Sequence, residues 1–161
     1  MKLKPTQEEL KSILNKHMKA LAGDGQFVDL RGADLRGLDL RRADLRGINL
    51  LKADLRGVDL SEAHLESANL RSADLSGANL SNAFLCGANL GRALIMDANL
   101  RGSHFGEADL SGAVLRKSNL HGVCLTDADL SGADVRGTSL EYVTLTGADL
   151  SGLRVSEDTK F

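Results

Sequence analysis

Residues 68–90 read ANLRSADLSGANLSNAFLCGANL, and the spacing of five within that stretch decides the fold. Leu70, Leu75, Leu80, Leu85 and Leu90 fall on every fifth residue, each with Ala two places before it and Asn, Asp or Phe between. Outward from there the same step runs without insertion or deletion from Leu30 to Val155, changing residue type only at Ile95, Phe105, Val135 and Val155. Neither regular element suits such a period. Five residues rotate a helix by roughly 140°, which would spread the leucines around its whole surface. On a flat strand an odd spacing sends successive leucines to opposite faces. Within one step, however, Ala and Leu two apart share a face of an extended segment. The Gly common two places after Leu then turns the chain cheaply through positive φ. Extended segment, corner, extended segment: the chain coils with Ala and Leu inside.

The consensus A(D/N)LxG, sustained for about 26 steps over residues 26–155, resembles the pentapeptide-repeat family. That resemblance implies an all-β solenoid, a right-handed quadrilateral parallel β-helix with four pentapeptides per coil. Six or seven coils stacked at about 4.8 Å would make a rod of about 30 Å. Residues twenty apart would then stand in columns along one face.

Composition agrees with a narrow, repetitive core. Aromatics make up only 3% of 161 residues, with no Trp and a single Pro, Pro5, so Leu and Ala do the burying. Net charge is -2, from 20 Lys and Arg against 22 Asp and Glu, which gives no general pull toward nucleic acid or membranes. The first residues show no apolar leader and no stretch reaches a membrane span, so the expected location is the cytoplasm. Cys86 and Cys124 are read as reduced thiols, with a disulfide or metal pair as the alternative.

Before the repeat, residues 1–25 read as a capping helix and linker. Thr6 and Glu9 form a capping box, and Leu10, Ile13, Leu14, Met18 and Leu21 follow at helical spacing, with Gly23 and Gly25 as stops. The expected helix, about Thr6–Ala22, folds over the first coil; a partner-binding or membrane-surface helix is the rival reading. Residues 156–161 are a short tail. Tyr142, Leu153, Val155 and Phe161 are expected either to plug the last coil or to leave it free to pair with a second copy, a homodimer through the C-terminal coil.

No catalytic, cofactor or metal signature stands out, and no small-molecule substrate is implied. The glycines keep a five-residue clock rather than forming a phosphate loop. The many Asp and Asn residues are placed to hydrogen-bond local backbone rather than to act as acid and base. Departures from the consensus are more informative. One column before the centre reads Asp44, His64, Phe84, His104, Cys124 and Thr144, with Cys86 beside it, and this is a candidate interaction face. His64 and His104 would stand two coils, about 9–10 Å, apart, too far to share a metal easily. A second candidate is a basic patch of Arg36, Arg56, Arg116 and Arg136 on another face, with a solvated Arg–Asp lattice as the plainer reading.

Two functions follow as expectations. The first is a non-catalytic interaction module for an unidentified protein partner. The second comes from the resemblance: some pentapeptide-repeat proteins mimic DNA and bind gyrase or topoisomerase IV, giving quinolone or toxin resistance. Mimicry needs an acidic face, and the column Asn69, Asn89, Asp109, Asp129 and Asp149 comes nearest. The interspersed arginines and the unbroken repeat, which leaves no projecting loop, count against it. Nucleic acid itself would need a denser, unneutralised basic stripe.

Overall fold

The computed structural model describes residues 3–23 and 28–160. Parallel bridges join residues twenty apart throughout the repeat, from Asp29 with Asn49 to Asp134 with Arg154. A turn follows each bridge, so every twenty-residue coil carries four corners. Among the described residues no strand exceeds a single bridge position. The reason is arithmetic: five residues per side, two of them spent on the corner, leave room for only one paired residue.

Three backbone hydrogen bonds per side hold neighbouring coils together. From Leu75 to Asn79, Leu75 N–H donates to Leu94 O at 2.7 Å, Gly77 N–H to Met96 O at 2.8 Å, and Asn79 N–H to Val58 O at 3.0 Å. The corner is closed by Ala78 N–H donating to Leu75 O at 2.9 Å. Side chains lock this turn and the one before it from outside. Asp74 Oδ1 accepts from Ser76 N–H at 3.0 Å, and Asn69 Oδ1 from Arg71 N–H at 3.2 Å. The Asp and Asn of the consensus are therefore turn formers. On one face they also stack: Asn79, Asn99 and Asn119 each donate an amide N–H to the residue one coil before, at 3.1–3.4 Å.

The inside is a ladder of Leu on Leu and Ala on Ala, with Leu80, Leu85 and Ala83 wholly buried. Where Ser103, Ser118 and Thr138 replace the inward Ala, each hydroxyl donates to a carbonyl of the core wall, those of Leu100, Ile95 and Val135. That satisfies the buried polar group without a cavity.

Helix α1 spans Gln7–Leu21 with Thr6 as N-cap and the Thr6–Glu9 capping box formed. Its apolar seam departs from the expected one. Leu10, His17 and Ala20 are buried while Met18 is 44% exposed, because the helix also serves polar ends of the first coil. Gln7 donates its side-chain amide to Asp39 O at 3.1 Å and accepts from Asp39 N–H at 2.9 Å, as a preceding coil would. His17 Nε2 lies 3.0 Å from Arg46 O, and Leu3 O accepts from Asp34 N–H at 2.7 Å. Gly25 and Phe161 lie outside the described residues.

At the other end the expected plug is not built from Tyr142 or Val155. Tyr142 is 80% exposed and leans on His121 at 4.9 Å between ring centres, and Val155 is 46% exposed. The tail instead turns at residues 157–158 and brings Lys160 beside Ser139, where Lys160 O accepts from Leu140 N–H at 2.6 Å.

Candidate functional site

The His64 column is formed by consecutive bridges from Asp44 through His64, Phe84, His104 and Cys124 to Thr144. One coil of rise per residue sets neighbouring rings at stacking distance. His64 and Phe84 have ring centres 4.9 Å apart with planes 12° off parallel, and Phe84 and His104 are 5.4 Å and 5°. Because the stack runs along the rod, ring edges rather than faces meet solvent. His64 and His104 are exposed and Phe84 is half-buried. The rings do not lock the turn as Asp or Asn does, and the contacts two residues on run between side chains instead. His64 Nδ1 lies 3.3 Å from Glu66 Oε1, and Cys124 Sγ lies 3.4 Å from Thr126 Oγ1. Cys86 is exposed, Cys124 half-buried, and both are free cysteines. No grouping of three or more His, Cys, Asp or Glu residues fit to hold a metal occurs among the described residues.

Arg36, Arg56, Arg116 and Arg136 do stand on one face, in two different settings. Arg36 grips Asp34 through two hydrogen bonds at 2.8 and 2.9 Å and lies 3.4 Å from Asp54 in the next coil. Arg56 repeats this with Asp54 at 2.7 and 2.8 Å and reaches to 3.6 Å from Asp74. These hydrogen bonds hold the Asp34 and Asp54 carboxyls well below their usual range. Further along, Leu94 and Val114 occupy the carboxylate position. Arg116 therefore meets no carboxylate two residues before it and reaches forward to Asp134, at 2.6 and 2.8 Å. Arg136 binds the same carboxylate at 2.8 and 2.9 Å, and Arg154 stands 3.8 Å from it. Asp134 is held low chiefly by the hydrogen bond from Arg136, then by that from Arg116. Sequence reading missed this convergence. The visible signal was Val114 in a place where the column otherwise favours Asp.

In the Asn69 column, Asp109 and Asp129 are half-buried and accept from Ser111 and Ser131 N–H at 2.9 and 2.8 Å. Asp149 accepts from Ser151 N–H at 2.8 Å, which lowers its carboxyl below the usual range.

A ladder with a twenty-residue register and four corners per coil defines the class: a β-helix solenoid of pentapeptide steps. The family described as Pentapeptide repeats matches in eight copies, over residues 26–61, 53–92, 93–132 and 124–157, and the chain belongs to it. Among solved structures, a pentapeptide repeat protein of the Arabidopsis thaliana thylakoid lumen is 37% identical over 65% of this chain and 72% of its own, with a TM-score of 0.63. Rfr23 from the cyanobacterium Cyanothece is 31% identical over 61% of this chain, with a TM-score of 0.53, and the match spans 63% of its own length. QnrB1, a plasmid-mediated fluoroquinolone resistance protein, is 21% identical over 80% of this chain and 78% of its own, at a TM-score of 0.61, a likeness of fold alone. No curated protein matches the chain. No catalytic family is among the matches, and no described helix is long and apolar enough to cross a membrane.

Proposed function

We propose that this chain is a non-catalytic protein-interaction module whose rigid coil, right-handed and quadrilateral as in the form its family resemblance implies, presents side chains at fixed spacing to a partner protein. The observation that carries this reading is the stacked His64–Phe84–His104 column. Three successive places that elsewhere favour a turn-forming Asp or Asn hold rings instead, at the cost of the turn lock, and aromatic edges of this kind are favoured at interfaces. The free thiols Cys86 and Cys124 support a cytoplasmic site of action. A second copy is a further partner, joined through the C-terminal coil. Leu145, Leu150 and Leu153 are only half-buried there and Val155 is exposed, whereas mid-rod centres are sealed. Sedimentation of a monomer at micromolar concentration would remove that contact from the proposal.

The test is partner capture from lysate with the wild type and with His64→Asn, Phe84→Asn and His104→Asn combined. Asn is the residue that the neighbouring Asn69 and Asn89 column already carries, so the fold is retained. Partners held by the wild type should be lost from the variant; an unchanged set would sink the role of this face. A second reading, mimicry of DNA toward gyrase or topoisomerase IV, is favoured only by the Asp109–Asp129–Asp149 column. Titrating the protein into a gyrase supercoiling assay should leave activity unchanged. Inhibition or quinolone protection at micromolar protein would replace the first reading by the second.

A further inference from the structure

The arginine face changes character halfway along the rod. In the first coils each guanidinium lies between two carboxylates, Arg36 between Asp34 and Asp54, and Arg56 between Asp54 and Asp74. Around Asp134 the ratio inverts, and three guanidiniums share one carboxylate. Asp134 is itself spent. Its side chain is 3% exposed, Oδ2 accepts three N–H groups from Arg116 and Arg136, and Oδ1 accepts two from Arg136. A guanidinium carries five N–H donors. Most of those on Arg116 and Arg136, and all of those on Arg154, therefore lack a hydrogen-bond acceptor among the described residues, and all three side chains are exposed to solvent by more than a third. Lys117 makes no ion pair among the described residues either. With Arg116 and Arg136 it lines a groove of about 260 Å³, which Ser156 and Asp158 also border.

Next to this cluster the same face carries an apolar step. Leu94 is 37% exposed, with Val114 and Met96 half-buried beside it, in a column whose other places hold Asp or Arg. The two features adjoin: Val114 is bridged directly to Asp134.

We propose that this half of the face docks an extended acidic segment of a partner protein, with an aliphatic side chain against Leu94 and Val114 and carboxylates on Arg116, Arg136 and Arg154. The inference rests on the interaction-module reading and names the chemistry of a partner. Bidentate geometry suits guanidinium to carboxylate, and burial beside the apolar step strengthens each pair. A nucleic-acid backbone would satisfy the arginines but offers nothing to Leu94.

The experiment titrates the full ¹⁵N-labelled chain with a short synthetic peptide in which glutamates flank a central leucine. Two controls run beside it: the same peptide with serine for leucine, and a duplex DNA. Amide shifts should cluster at residues 94–96, 114–117 and 134–137, and the serine peptide should bind several-fold more weakly. Arg116→Gln with Arg136→Gln should weaken the leucine peptide about tenfold. Should that pair disturb the fold, Leu94→Asp serves instead: it restores the carboxylate of the repeat, keeps the coil and should abolish binding. Three results would overturn the proposal. They are no shifts at millimolar peptide, equal binding of the leucine and serine peptides, and shifts from DNA confined to the arginines that displace the peptide. Because the capture experiment alters only the His64 face, loss of one surface is distinguishable from failure of the interaction reading as a whole.

Discussion

Two places after each centre from Leu30 to Leu150 the backbone turns left-handed, whether or not glycine is there. Gly77 has φ +68°, and Ser67, Asn82, Lys117 and Tyr142 adopt 56–62°. An L-residue is disfavoured in that region by about 1–2 kcal/mol, so the ladder imposes the corner on side chains that would avoid it. The glycine-rich corner was legible in the sequence. That Lys or Tyr would follow glycine into it was not, because the constraint lies in bonds to the next coil, Gly77 N–H to Met96 O for example. Gly77→Ala isolates the backbone contribution, since a Cβ there would meet nothing within 4 Å. We expect a loss of about 1 kcal/mol, read as a lower Tm by calorimetry. An unchanged Tm would mean that the corner is not held left-handed. Gly147→Ala should cost more, because its Cβ would fall 1.9 Å from Asp127 Oδ1, a side chain that must then move.

At the level of the element, α1 shows what hydrophobic periodicity can and cannot reveal. The capping box and the existence of the helix were readable from Thr6, Glu9 and the spacing of Leu10, Ile13 and Leu14. The burial of His17 was not, because its purpose is polar. An open coil leaves carbonyls and amides that the missing neighbour would satisfy, and the helix supplies substitutes from side chains. Gln7 is the clearest of these, since one primary amide answers both the N–H and the C=O of Asp39. Gln7→Ala should cost about 1–2 kcal/mol for two lost hydrogen bonds. It should also raise hydrogen exchange at the Asp39 amide more than at the Asn79 amide, which lies two coils deeper in the same column. Equal exchange at Asp39 in the two proteins would show that Gln7 does not cap the coil. The His64 column is an intermediate case: folding the sequence by twenties put its members together, while the near-parallel ring planes needed coordinates.

Along the whole molecule charge is graded, and the gradient sets how the rod fails in acid. The first coils carry Asp29, Asp34, Asp39, Asp44 and Asp54, each held below the usual carboxylate range chiefly by a side-chain hydrogen bond from the arginine two residues on. Asp39, bound by Arg41, is lowered to about 2. The middle coils place Asn69, Asn79, Asn89, Asn99 and Asn119 at the same step of the repeat, amides that do not titrate, among fewer carboxylates. A carboxyl whose pKa is depressed by folding stabilises the fold above its unfolded value. That contribution fades as pH falls from there through the folded value. The window therefore opens at about pH 4 and runs down to about 2 for Asp39 and lower still for Asp34. Each exposed pair contributes little, but five neighbouring pairs lose their bonds in the same window. In a solenoid, where each coil touches only its neighbours, such a loss can remain local. Hydrogen exchange followed from pH 7 to pH 2 should show protection disappearing at Leu35, Leu40 and Leu45 before Leu80, Leu85 and Leu90. The Asp134 cluster should be a second soft place, since its carboxylate is held low by Arg136 and Arg116. Uniform loss of protection along the rod, or opening that begins among the asparagine coils, would show that Leu and Ala packing alone governs the acid transition.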